Sequence, residues 1–364
     1  MSNLSNITVV LPSLDPDIKL ITVIDGLLEH GFSDIILVND GSKPENLYYF
    51  EEAARHPEVH LLHHKVNCGK GAALKTAFRW FLENRPDAAG VITVDGDNQH
   101  HPEDTKNCAL RMMETGNIIL GVRDFSQPDV PARSRSGNRI TSFVFKIFVG
   151  MTLSDTQTGL RALPRTVLPQ LCDVSGDRFE YETNMLLAMK SQQMDFEELP
   201  IRTVYIEENK SSHFRAVRDS WRIYKLIFSH FIRCALSSVV SGVVDEGLYM
   251  LLSHLLSTVL SGFLLTAIPG AIARIVSSLL NFFINKKLVF ESKGSTGKAM
   301  LRYFMLAVPL AIAQLGLTHG TVSLLHVGSD QTLLRGVIYA VVMAFLFIIS
   351  YIIQQRWVFA EKKK

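Results

Sequence analysis

Cysteine is scarce in this chain: four in 364 residues, Cys68, Cys108, Cys172 and Cys234, with no metal-type spacing. Nothing here reads as a cysteine-built zinc site or a disulfide framework, and reduced, cytosol-side thiols are the expectation. Net charge is nearly absent too, a formal +2, which removes any global charge argument for a nucleic-acid partner. The first residues, Met1 to Thr8, lack a basic segment followed by an apolar one, so no cleavable signal peptide is expected. A P-loop is missing as well. Gly69-Lys70-Gly71 has glycine where G-x-x-x-x-G-K-[ST] requires Ser or Thr.

What is present divides into two unlike halves. Mean hydropathy is +0.17 although 20% of residues are charged. Up to about Lys225 charged and apolar residues mix, as in a soluble α/β protein; from about Phe228 long apolar segments dominate. The boundaries expected are a soluble α/β domain over 1–215, an amphipathic, basic juxtamembrane linker over 216–227 and a membrane domain over 228–364.

In the first half, strand patterns (Ile7 to Leu11, Ile35 to Val38, Val59 to His63, Val91 to Val94, Ile118 to Gly121) alternate with helical ones (Asp17 to His30, Ala72 to Glu83, Pro102 to Thr115). Such alternation predicts a mostly parallel sheet, whose ligands bind beyond the C-terminal ends of the strands. Pro12, Asp40, Asn67 to Gly71 and Asp95 to Asp97 all fall at those ends and should share one rim. Asp95-Gly96-Asp97 is the focal stretch. Two carboxylates at a strand end are costly without a cation between them, and hard oxygen donors suit Mg2+ or Mn2+ holding substrate phosphates. Gln99 adds a neutral oxygen, and Gly96 would let a phosphate approach the backbone. Lys70 opens a helix whose N-terminus can hold an anion. Beyond Gly121 comes a basic stretch read as irregular, with Arg123 and Arg133 to Arg139, before an apolar helix from about Ile140 to Val149. Its arginines suit a second anionic substrate or anionic lipid heads. No His-Asp dyad stands out.

Taken together these motifs resemble family 2 glycosyltransferases of the GT-A fold, within them the polyprenyl-phosphate (dolichyl-phosphate mannose synthase-like) group, over about Ile7 to Phe214. Val38-Asn-Asp40-Gly-Ser is similar to that family's V-D-D-G-S, Asn67-x-Gly-Lys-Gly71 to its N-x-G-K-G, and Asp95-Gly-Asp97-Asn-Gln99-His-x-Pro-Glu103 to its D-A-D-x-Q-H-P-P-E. Gly121-Val-Arg123, Arg135 and Asp155-Thr-Gln-Thr-Gly-Leu-Arg161 follow in the family's order. The resemblance implies that Pro12, Val38 and Asp40 hold the nucleoside. Lys70, Asp95, Gly96 and Asp97 would hold the nucleotide sugar, with the metal on Asp95, Asp97 and Gln99. Arg123 and Arg135 would hold the acceptor phosphate. Asp97 and Asp155 are the catalytic candidates, Asp155 as a residual base or orienting group. Reaction with inversion is implied. The family's P-x-Y-N-E at the first strand end is here Pro12-Ser-Leu14-Asp15-Pro16, without the stacking tyrosine, so the base (uridine or guanosine) stays open.

The second half predicts four spans, about 228–252, 256–284, 300–325 and 333–353, each long enough for a hydrocarbon core of about 30 Å. Basic residues flank one side: Arg215, Arg218, Arg222 and Lys225; Lys286, Lys287, Lys293, Lys298 and Arg302; Arg356 and Lys362 to Lys364. The loops Ser253 to Leu255 and His326 to Thr332 have no Lys or Arg, which predicts both termini and the catalytic half in the cytoplasm. Asn281 to Phe290 repeats as Ser350 to Phe359, each closing a two-span hairpin. This half resembles the GtrA-type four-span family. Gln354-Gln355-Arg356-Trp357 is one residue short of a processive synthase's Q-x-x-R-W. Charges within the spans are costly; Arg233 can snorkel, whereas Asp245 and Arg274, deeper and near Glu246, are expected to pair structurally. The function implied is transfer of one sugar from a nucleotide diphosphate to a polyprenyl (undecaprenyl or dolichyl) phosphate. A lipid-linked-sugar flippase or transport accessory protein, and a processive polysaccharide synthase, are the other readings. Homo-oligomerisation is left open.

Overall fold

The computed structural model describes residues 4–127, 130–202, 216–290, 292, 294–328 and 331–360, with backbone alone at 133, 216–227, 229 and 230. Arg215, Lys293 and Lys362 to Lys364 therefore lie outside the described residues. The chain forms two compact units, Met1–Lys225 and Leu226–Lys364.

The elements of the first unit run β1 (Ile7–Ser13), α1 (Lys19–Glu29), β2 (Ile35–Asn39), α2 (Leu47–Ala53), β3 (Val59–His63), α3 (Lys70–Asn84), β4 (Gly90–Thr93), α4 (Pro102–Thr115), β5 (Ile118–Arg123), α5 (Ala132–Val144), β6 (Arg161–Pro164), α6 (Leu168–Cys172), α7 (Glu180–Ser191) and β7 (Phe196–Ile201). Their seven strands form one sheet in the order β3-β2-β1-β4-β6-β5-β7. Every pairing is parallel except those of β6, which runs antiparallel to β4 and β5. This is the mostly parallel α/β sheet expected. β2 and β4 are buried along their whole length, which is why they read as unbroken apolar runs rather than alternating ones.

The chain order reverses beside β1, which pairs with β2 on one side and β4 on the other. In open sheets that reversal opens a crevice beyond the strand ends. Pro12 stands in register with Val38 there. α4 is held just past the acidic pair by local signals: the His101 side chain accepts from the Glu103 N–H, Pro102 opens the helix, Glu103 and Asp104 face its positive end, and Gly116 (φ 70°) ends it.

The basic stretch read as irregular is instead helical. α5 starts at Ala132, after Pro131, and takes in Arg135 and Arg139; a π-helical turn over Phe145–Val149 completes it. Its polar and apolar residues give it one buried stripe, with Asn138 and Thr141 inside, which a scan for apolar runs misses.

The second unit contains α8 (Ala216–Leu256, which starts in the first), α9 (Gly262–Ile284), α10 (Thr296–Leu324) and α11 (Thr332–Ile353). Among the described residues four segments are long and apolar enough to cross a membrane: Phe231–Leu256, Gly262–Val289, Thr296–Leu324 and Thr332–Val358. The first turn lies later than expected. Leu255 and Leu256 continue α8, and the chain reverses over 257–261, ending at Gly262 in the left-handed region (φ 55°). The repeat has a structural counterpart: α9 and α11 each end in a π-helical turn, Asn285–Val289 and Gln354–Val358, at equivalent positions. Asn285 donates to Gln354 (3.1 Å) and to Asn281 (2.7 Å), so the two turns are tied through their amides.

Candidate active site

Asp40 follows β2 and is 3% exposed. Its Oδ1 accepts from His64 Nδ1 (2.7 Å) and the Cys68 N–H (2.9 Å), and its Oδ2 from the Gly69 N–H (2.7 Å). A carboxylate offers about four acceptor sites, so one on Oδ2 stays open. Asp40 thereby pins the loop before α3 to the end of β2. No His-Asp dyad stands out in the sequence, yet the fold brings Asp40 and His64 together. The two lie 24 residues apart on neighbouring strand ends, a proximity that only the β2–β3 pairing creates. His64 Nε2 also meets Thr76 Oγ1 at 2.9 Å. Asp40, His64 and Cys68 form a cluster of metal-type donors; both His64 nitrogens are engaged, so coordination there would break an existing bond.

Gly69, at φ 104°, begins α3. A Cβ at Gly69 would lie 2.4 Å from the Asp177 carbonyl oxygen, and one at Gly71 2.5 Å from Tyr181 Cβ. The glycines thus allow α3 and α7 to pack closely, and this packing aims Lys70. Lys70 Nζ sits 2.8 Å from Asp95 Oδ1 and 3.0 Å from Glu182 Oε1. Glu182 comes from α7 and carried no role in the sequence reading. Burial disfavours the Lys70 ammonium, but Asp95 and Glu182 outweigh it and raise its pKa.

Asp95 follows β4. Burial alone would raise its carboxyl; Lys70, with His100 Nε2 at 3.7 Å, overrides this and holds it far below the usual carboxylate range. Asp97 differs. Among the described residues its Oδ1 accepts the Gln99 N–H alone (3.1 Å), Asn98 between them takes a left-handed φ of 61°, and burial together with the charge of Asp95 pushes its pKa up. Lys70 therefore compensates one carboxylate and leaves the other short of positive charge. Two hard oxygen donors, one uncompensated, with the Gln99 amide two residues on, fit a divalent cation. Gly96 is not demanded by the protein, since a Cβ there would meet nothing closer than 3.4 Å. Gly159 is: its Cβ would fall 2.2 Å from Asp95 Oδ2. β6 brings Gly159 there, and its carbonyl accepts from Thr93 Oγ1 (2.7 Å).

Asp155, fully buried, accepts from Arg123 Nε (2.7 Å) and Nη2 (3.2 Å) and from the Gln157 N–H (2.9 Å). Arg123 also lies over the Phe125 ring (5.1 Å). Arg135 Nη2 donates to the Gln127 carbonyl (2.9 Å), so it braces the loop before α5. Arg161, 1% exposed, donates to the Thr158 carbonyl (3.0 Å) and the Glu182 carbonyl (2.8 Å) beneath the site. The structure thus joins Asp40 to the Cys68–Lys70 loop, Lys70 to Asp95, and Arg123 to Asp155.

Residues 17–172 match the family model for glycosyl transferase family 2, and residues 258–359 that for the GtrA/DPMS transmembrane domain. An uncharacterized protein of Methanocaldococcus jannaschii is 27% identical over 230 residues, 62% of this chain and 92% of its own. A UDP-N-acetylglucosamine–dolichyl-phosphate N-acetylglucosaminyltransferase of Methanococcus voltae is 27% identical over 221 residues, 55% of this chain and 86% of its own. An undecaprenyl-phosphate mannosyltransferase of Micrococcus luteus is 30% identical over 135 residues, 36% and 54% of the two chains.

Proposed function

We propose that this chain, a membrane glycosyltransferase with a family 2 domain joined to a GtrA/DPMS transmembrane domain, moves one sugar from a nucleotide diphosphate to a polyprenyl phosphate on the cytoplasmic face of the cell membrane. The observation that carries this is the Lys70–Asp95–Asp97 arrangement at the sheet's crevice, in a chain whose named relatives use polyprenyl phosphates.

In this reading Asp95, Asp97 and Gln99 hold Mg2+ or Mn2+ and the donor diphosphate. The cation supplies stabilisation of the charge that develops on the leaving diphosphate. Pro12, Val38 and Asp40 border the nucleoside; the open acceptor site on Asp40 Oδ2 suits a ring N–H, and uridine and guanosine both offer one. Lys70 keeps Asp95 ionised and adds positive charge beside the place where the phosphates would lie. The acceptor, a phosphate monoester with a second pKa near 6, is already largely ionised at neutral pH and needs no strong base. That agrees with Asp155, whose oxygens are occupied by Arg123 and Gln157. Asp155 orients Arg123, and Arg123 with Arg135 receives the acceptor phosphate. The basic flanks of the spans support the cytoplasmic placement.

Membranes carrying the chain, given Mg2+ or Mn2+, polyprenyl phosphate and a panel of labelled nucleotide sugars, should transfer label from one donor into lipid, and EDTA should stop it. Absence of labelled lipid with every donor overturns the proposal.

A further inference from the structure

In the second unit most of the exposed side chains on the four helices are apolar, as lipid contact requires. Three charges lie deep within their spans, and two of them, Glu246 and Arg274, break that pattern by being exposed. Arg274 Nη2 pairs with Asp245 Oδ2 (2.9 Å), yet its side chain is 76% exposed while that of Asp245 is 18% exposed. Ser277 Oγ donates to the other oxygen of Asp245 (2.9 Å), so Asp245 is well satisfied. Glu246, the next residue, is exposed and meets no partner among the described residues.

Depth makes this costly. Glu246 is ten residues from Leu256, the nearer end of its span, and Arg274 ten from Ile284, at the end of α9; at 1.5 Å per residue each lies about 15 Å inside. A glutamate is too short to reach an interface at that distance, and Arg274 is tied to Asp245. Ionisable groups in spans normally face protein or a water-filled cavity. Around Glu246 the surface is open: a Cβ at Gly242 or Gly247 would meet nothing within 4 Å, and Val243 (69%) and Met250 (61%) are exposed. Small residues beside a polar group are the usual composition of helix–helix contacts in membranes.

We infer that this face of α8 and α9 is the contact between two copies of the chain, with Glu246 of one meeting Arg274 of the other. The argument is charge complementarity at fixed depth. Copies inserted in the same sense are related by an axis along the bilayer normal, which preserves depth. Glu246 follows the residue that Arg274 binds, so the two charges share a level, and the twofold axis forms the pair twice. Other basic groups near these spans do not match that level: Arg233 is thirteen residues from Glu246 along α8, and Arg335 lies in the first turn of α11.

The test uses the full chain in native-type membranes, with Cys68→Ser removing the exposed thiol. Val243→Cys, one turn from Glu246, should give an oxidatively crosslinked dimer, and Leu315→Cys, on exposed α10 surface, should not. Glu246→Gln should lower the Val243→Cys crosslink by about an order of magnitude, and Glu246→Asp should retain most of it. A single symmetric elution peak and a thermal unfolding transition matching that of the Cys68→Ser parent show that each variant is folded. In nanodiscs the labelled chain should bleach in two steps. One bleaching step, equal crosslinking at both positions, or a Glu246→Gln crosslink unchanged in a folded variant overturns the inference.

Discussion

Two aspartates separated by one glycine meet opposite surroundings, and that asymmetry organises the site. Asp95 is held ionised by Lys70 at 2.8 Å, whereas Asp97 meets no equivalent cation among the described residues and is pushed up by burial and by Asp95. Asp97→Ala should lower sugar transfer by about 100-fold or more, the scale of lost electrostatic stabilisation of a leaving group, with the melting temperature nearly unchanged; initial rates and thermal unfolding measure the two. Gly159→Ala tests a residue whose only demand is space. A methyl 2.2 Å from Asp95 Oδ2 must displace that carboxylate or β6, so transfer should fall sharply and stability drop by about 1–3 kcal/mol. The thiols give a chemical readout. Cys68 is exposed in the loop pinned by Asp40, while Cys108 is buried and burial, then Asp104, pushes its thiol up to about 12. Iodoacetamide at pH 8 should label Cys68 and spare Cys108, and bound nucleotide should slow the labelling. Because folded Cys108 keeps its proton above the ordinary 9.0, the unfolded chain binds fewer protons there. Its contribution to stability is intact below pH 9 and declines as pH rises toward 12, which urea titrations of Cys108→Ala against the parent chain would resolve.

At the scale of elements, the two π-helical turns are the repeat made visible. Asn285 and Gln354, both nearly fully buried, exchange a hydrogen bond in an apolar setting, and Ser350 supports Gln354 (3.0 Å). Asn285→Leu should leave the Gln354 amide oxygen without its donor and cost about 1–3 kcal/mol, read as a lower unfolding temperature in detergent. Elements differed in how far they could be read from the sequence. β2, β4 and α4 carry local signals: unbroken apolar runs, a proline start and a glycine stop. α5 does not, because its buried stripe contains Asn138 and Thr141. The antiparallel insertion of β6 between β4 and β5 was likewise hidden, since a four-residue strand has no pattern that states its partner. Gly159, Glu182 and His64 were missed for the same reason. They reach the site through strand pairing and the α3–α7 contact, whereas Asp95, Asp97 and Lys70 belong to short motifs legible in place. The deep Asp245–Arg274 pair was legible, because charges in an apolar span have few partners to choose from.

For the whole molecule, one chain combines a crevice suited to a water-soluble nucleotide sugar with four helices suited to a bilayer. A polyprenyl phosphate spans both environments, with a charged head and an apolar chain. The relatives' names agree with that pairing, and the missing tyrosine after Pro12 leaves the base to be found by assay. The central claim predicts a product of one composition. The most direct measurement is the intact mass of the lipid formed by the purified full chain from polyprenyl phosphate, the active donor and a divalent cation. A mass equal to polyprenyl phosphate plus one glycosyl residue, absent with Asp97→Ala, is the expected result. A ladder of added sugars, or an unchanged lipid beside consumed donor, would contradict it.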